Sequence, residues 1–183
     1  LQRQIMHAES SIGKSKVASG KEFLQNLNSS IRIETVQTKA TSNLLDELLP
    51  NMSVVLDCTD NFSTRHLINA ACVKHQIPLV SGSALKFDGQ ISVFDSRNPS
   101  SPCYACIFSP DEQLEEVSCA SMGIFSPLVG VIGAMQAAQA LQILIGFGEA
   151  LVGRMLLWNG LTTQIDEIRI SRNPECPVCG KAH

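Results

Sequence analysis

Charge is scarce in this chain, at 17% of 183 residues, and aromatics are scarcer, at 5% with one tryptophan and one tyrosine. The formal charge of −3 leaves no basic footprint for a nucleic-acid backbone, and no basic arm or platform of interleaved aromatics supplies one, so nucleic-acid binding is not expected. So low a charged fraction falls short of a fully solvated monomer and implies surface covered by a second subunit. Leu1-Gln2-Arg3-Gln4 has no targeting character and no initiator methionine, and the abrupt start reads as a truncated chain. Internal repeats and low-complexity stretches are absent as well.

Only the stretch from Ser126 to Gly148 is uncharged for long enough to raise the question of a membrane. Gln136, Gln139 and Gln142 recur every three residues as a polar stripe, which argues against a span. Ser126 and Pro127 read as an N-cap and first-turn proline, and Gly130, Gly133 and Ala134 leave room for close approach of another element. The expectation is a buried helix, at a subunit interface, and no membrane.

What is present is a core. With 44% hydrophobic residues, the chain can form one domain over residues 1–183. Lys14 to Leu27 has helical spacing, with Val17, Phe23, Leu24 and Leu27 on one face. Ile31 to Val36 alternates like a half-buried strand, and a short helix around Leu44 to Leu49 stops at Pro50. Ser53 to Asp57 reads as a central parallel strand buried on both faces. A helix from Asp60 or Asn61 to about His75 and a strand from Pro78 complete an alternation that signals crossover units. Gln90 to Phe94, Gly153 to Trp158 and Thr163 to Ile170 read as later strands, the last two joined by a turn at Asn159-Gly160. The fold class is therefore α/β: a Rossmann-like, mostly parallel sheet with added antiparallel strands.

Seven cysteines make an odd number, and four of them form two C-x-x-C pairs. That pattern points to reduced thiols and metal in a cytoplasmic compartment rather than to a disulfide scaffold. Cys103 and Cys106 with Cys176 and Cys179 would complete a tetrahedral zinc knuckle with no open position, hence a structural one. Two unrelated redox pairs are the alternative. The run Leu56-Asp57-Cys58-Thr59-Asp60-Asn61 sets acids at the carboxyl end of a strand, where open α/β sheets bind nucleotides and an aspartate can hold magnesium. The same residues could equally just cap the next helix. Arg3 and Lys16 could approach a triphosphate or simply be solvated. Cys58 and Cys72 read as small buried residues.

Taken in order, Leu1-Gln2-Arg3-Gln4, Gly13-x-x-Lys16, Leu56 to Asn61 and the paired C-x-x-C knuckles resemble the ThiF/MoeB/HesA adenylyltransferases, bacterial relatives of the ubiquitin-activating enzymes, across essentially the whole chain. The resemblance implies an enzyme that uses ATP and Mg2+ to adenylylate the C-terminal Gly-Gly of a small ubiquitin-like sulfur-carrier protein, for thiamine or molybdopterin synthesis. It implies a homodimer too. It places Arg3 and Gln4 at the phosphates and reacting carboxylate, Lys16 at the phosphates, Asp60 at magnesium and Asn61 at the adenylate. It gives Cys119 a covalent sulfur role in some members, although Glu115 and Glu116 nearby oppose a thiolate. Two departures stand out. The family's opening strand and glycine-rich G-x-G-x-x-G turn are not in this sequence, which implies an unpaired sheet edge and weak or no catalysis by the chain alone. Asn159 also replaces a common aspartate. The rival reading is a non-catalytic, zinc-stabilised module that docks a ubiquitin-like protein or partner subunit.

Overall fold

The computed structural model describes residues 2–111 and 123–180, and the chain divides into two compact units, Leu1–Lys39 and Ala40–His183. In the first, a 3-10 turn at Glu9–Ser11 precedes helix α1, Lys16–Leu27. Ser15 caps α1 by accepting the Ala18 N–H at 3.3 Å, satisfying one of the four donors a helix start leaves open. Leu27, expected on the packed face, is 70% exposed. Ile31 to Val36 is not in a strand, and Ile31 and Val36 are both exposed. Alternation produces extended backbone, but a strand also needs a neighbour for its ladder.

The second unit holds α2 (Ser42–Leu48), β1 (Val55–Asp57), α3 (Phe62–His75), β2 (Leu79–Leu85), β3 (Asp88–Phe94), the short α4 (Tyr104–Ile107), α5 (Ser126–Ile145), β4 (Arg154–Asn159) and β5 (Gln164–Arg169). Its five-stranded sheet runs in sequence order. β1 and β2 are parallel, with Asp57 opposite Ser81, and β2 to β5 continue as antiparallel neighbours. This is a mixed α/β architecture as anticipated, but among the described strands only β1 and β2, joined by the crossover through α3, are parallel, so the sheet is mostly antiparallel rather than mostly parallel. Among the described residues β1 pairs with β2 alone, and Leu56 is 41% exposed, so the strand read as central and doubly buried is an edge.

Alternation along the strands sorts the core into two layers. Leu79, Phe94 and Met155 face α2 and α3, packing with Leu45, Leu49, Ile68 and Ala71. Val80, Ile91 and Val93 face α5, packing with Ala140 and Leu151. α5 meets the sheet through Leu128, Ile132, Gln136 and Ala140, spaced every four residues. Among the described residues it is packed on one face: Leu141, Leu144 and Ile145 are at least half exposed, so within the chain the helix is buried on its sheet side alone. Its N-cap is Phe125, not Ser126. Close approach is made possible by glycines of the sheet rather than by Gly130 and Gly133, which have open space beside them. A Cβ on Gly89 would lie 2.7 Å from Ile132 Cδ1, and one on Gly82 would lie 2.4 Å from Gln136 Cδ.

At the far end of α3, Asp46 of α2 accepts hydrogen bonds from Lys74 at 2.8 Å and is paired with His75 Nε2 at 2.7 Å. The bonds from Lys74 and then His75 hold the Asp46 carboxyl below its ordinary value. A carboxylate lowered in this way contributes stability above its unfolded pKa and loses it as pH falls through the folded one. Asp46→Asn should therefore lower the urea midpoint at neutral pH and leave it unchanged well below the carboxylate range. Equal shifts at both pH values would show that the charge contributes nothing.

Candidate functional site

Both C-x-x-C pairs lie in turns that fold back on themselves. Cys106 N–H bonds the Cys103 carbonyl at 3.0 Å, and Gly180 N–H bonds the Cys176 carbonyl at 2.9 Å. A Cβ at Gly180 would fall 2.4 Å from the Pro174 carbonyl oxygen, so the second knuckle requires glycine. The turns bring all four sulfurs within 4.8 Å of one another. Cys103 to Cys176 is 3.6 Å, Cys106 to Cys179 is 3.3 Å, and Cys106 to Cys103 is 3.9 Å. Four thiolates at about 2.3 Å from a tetrahedral zinc stand about 3.8 Å apart, so the donor set fits that ion. Burial pushes the Cys103 thiol up, and burial with the Cys106 hydrogen bond pushes Cys179 up to about 11, so a dication is what would let these two ionise. Arg172 clamps the assembly by donating to the carbonyls of Pro99 and Cys179.

The carboxyl end of β1 forms the second constellation. Asp57 is 1% exposed, and its Oδ1 accepts from the Thr59 N–H at 2.9 Å and the Thr59 hydroxyl at 2.7 Å. Its Oδ2 has no hydrogen bond and faces Arg65 Nη1 at 3.6 Å. Arg65 is buried as well, and donates to the Gly82 carbonyl and to the Thr59 carbonyl. Across the strands, the Gln136 amide of α5 donates to the carbonyls of Asp57 at 2.9 Å and Val80 at 3.3 Å. Thr59 is thus held from both sides at the point where the chain leaves the sheet.

That frame divides the acids between two roles. Asp57 serves the fold. Asp60 is exposed, and no hydrogen bond or ion pair engages it among the described residues, so its carboxylate is available to a cation. Asn61 is the N-cap of α3, its Oδ1 accepting from the Thr64 N–H at 2.9 Å and from the Ser63 hydroxyl at 2.9 Å. The capping reading of this run therefore holds at Asn61, and Asp60 is left exposed beside it. Arg3, Gln4 and Lys16 belong to the other compact unit. Arg3 and Gln4 are half-buried there, and Lys16 is exposed as the first residue of α1. Cys119 lies outside the described residues. Cys72 is buried as expected, with its thiol pushed up to about 12 by burial, whereas Cys58 is exposed at the strand end. Asn159 Oδ1 accepts from the N–H groups of Leu161 and Thr162, a turn role an aspartate would fill equally.

Sequence reading overlooked Arg65, Asn69 and Gln136 as members of these sites. Asn61, Arg65 and Asn69 recur every four residues along the start of α3, and that polar stripe was the available signal.

The comparisons with known proteins agree with one another. The chain matches the ThiF family over residues 1–178. It is 37% identical over 181 residues to the molybdopterin-synthase adenylyltransferase of Escherichia coli, covering 99% of this chain and 72% of that protein. It is 38% identical over 184 residues to the sulfur carrier protein adenylyltransferase of Thermus thermophilus, covering 98% of this chain and 68% of that one. Among solved structures it resembles E. coli MccB bound to AMPCPP and MccA, with a TM-score of 0.82 at 20% identity; it covers 99% of this chain but only 55% of MccB, a likeness of fold alone. With the family matched over nearly its whole length, and relatives this similar covered for more than two thirds of theirs, the chain belongs to the ThiF family.

Proposed function

We propose that this chain is the adenylyltransferase part of a sulfur-carrier activating enzyme. It would join the C-terminal carboxylate of a small ubiquitin-like carrier to AMP from ATP and release pyrophosphate. Its similarity to adenylyltransferases of molybdopterin synthase and of sulfur carriers, over 98–99% of its length, carries the reading. The chemistry suits the residues. A carboxylate is already ionised near neutral pH, so attack on the α-phosphate needs no general base. What it needs is positioning and relief of repulsion between two anions.

Arg3 and Lys16 would supply fixed positive charge at the phosphates, Gln4 would orient the reacting carboxylate, and Asn61 would lie beside the adenylate. Asp60 would hold Mg2+, which neutralises phosphate charge when bound. The four cysteines would hold a structural Zn2+, with no position left for a substrate. Cys119 would carry sulfur in a covalent conjugate if this chain works as some ThiF-like members do. A homodimer in the cytoplasm completes the proposal, and the open side of α5 is a surface on which a second subunit could pack.

Carrier-dependent ATP–pyrophosphate exchange tests it, with carriers of the thiamine and molybdopterin types offered in parallel. Exchange should require an intact Gly-Gly tail, and Asp60→Asn should slow it about a hundredfold. No exchange from a folded, zinc-loaded chain would mark it as non-catalytic alone, its activity needing the glycine-rich unit that is not in this sequence. The unengaged Asp60 is the feature a docking module has no use for.

A further inference from the structure

The two constellations are not independent. Helix α3 starts at the Asp60 loop with its cap, Asn61. One turn on, Arg65 reaches back to the Thr59 carbonyl. One turn further, Asn69, which is 1% exposed, meets the first cysteine knuckle. Its Oδ1 accepts the Tyr104 N–H at 2.9 Å, and its amide nitrogen lies 3.7 Å from Cys103 Sγ as a donor. Tyr104 stands between the two ligands of that knuckle, 2% exposed, with its ring against His66, Phe94 and Phe108. Asn61, Arg65 and Asn69 follow one another at four-residue spacing, so one stripe of the helix carries polar contacts from the loop to the sulfurs.

We propose that Asn69 and Arg65 are positioning residues that link the four-cysteine centre to the Thr59–Asn61 loop along α3, so that metal held by the cysteines orders the loop. Two physical features support it. A hydrogen bond from an amide to a metal-bound thiolate fixes the sulfur's orientation and stabilises its charge, and losing such outer partners weakens metal binding. A helix is a stiff element, and Asn69 and Arg65 attach it at two points inside a close-packed layer that does not deform continuously. Linkage is reciprocal: whatever orders the loop should also tighten the metal. The meaning of this for catalysis rests on the reading of Asp60 as the magnesium ligand; the linkage itself does not.

Hydrogen exchange of the whole chain tests the linkage, zinc-loaded and after chelation, without nucleotide or carrier. The amides of Thr59, Thr64 and Arg65 are compared with those of the β3–β4 ladder. Chelation should speed exchange at the loop about tenfold more than in the ladder. Asn69→Leu, with zinc still bound, should loosen the loop similarly and release zinc to a chelator about tenfold faster. Asn69→Asp keeps the acceptor for Tyr104 but loses the donor to sulfur, and should also speed release if the leucine variant fails to fold. Arg65→Gln should loosen the loop and, by the same linkage, speed zinc release, though less than the Asn69 variants, which also lose the donor to sulfur. The proposal is overturned if chelation leaves the loop unchanged, if ladder and loop lose protection equally, or if both Asn69 variants hold zinc as the parent does. Failed carrier-dependent pyrophosphate exchange would count against catalysis by this chain alone and leave this result standing.

Discussion

Cys176→Ser is expected to take bound zinc from about one ion per chain to near none, as read by metal analysis of the purified protein. Serine oxygen is a poor partner for a zinc held by thiolates, and a tetrahedral site missing one of four sulfurs opens to water. Zinc held there would also contribute folding energy. In small zinc peptides the metal supplies on the order of 10 kcal/mol. Here two apolar layers share the work, so a loss on the order of 3 kcal/mol in urea unfolding is the expected effect. Its structural origin is specific: the tail after β5 is joined to the knuckle after β3 through Cys103 and Cys176, and both are essentially buried. Cys58→Ser, at the exposed end of β1, serves as the control and should keep its zinc. Unchanged zinc in the Cys176 variant would mean that the four sulfurs do not act as one site.

The second large effect is expected at Arg65. Replacing it with methionine keeps much of the side-chain volume but strands the Asp57 carboxylate, which is 1% exposed with one oxygen lacking any hydrogen bond. Breaking a buried pair by removing one member costs about 3–5 kcal/mol, because the remaining charge has neither water nor partner. The Thr59 and Gly82 carbonyls lose their donor at the same time. Adding Asp57→Asn should recover a large part of the loss, since a neutral amide is cheaper to bury than an unpaired anion. Urea unfolding of the two single variants and the double variant measures the coupling. A loss below about 1 kcal/mol for the methionine variant alone would place the pair among weakly coupled surface ions, against its burial.

How much of this was legible beforehand depended on how local the signal was. The cysteine knuckles could be read because two C-x-x-C pairs stand in segments that proline and glycine mark as turn-rich. Helix α3 was legible within a residue, because Asn61 is a good cap shortly after the apolar run that ends in Asp57. Ile31 to Val36 shows the converse. Its alternation is a strand's, but a ladder is a property of two segments, and none of the described ones pairs with it. Leu56 was placed inside for the same reason: composition says that a residue can be buried, and only neighbours say whether it is.

The sequence by itself determined the α/β alternation, the four paired thiols, the resemblance to the ThiF family and the run that ends in Asp60 and Asn61, because each is written in residue types at short spacing. The tertiary structure alone decided which acid is free. Asp57 and Asp60 are three residues apart and chemically alike. One points into a packed layer against Arg65, and the other stays in water at the helix start. It alone also showed that Gln136 reaches across to two strands, and that Asn69 spans the distance between a metal knuckle and a loop. Those contacts join residues separated by 34 to 79 positions, and no local pattern encodes a partner that only packing brings near.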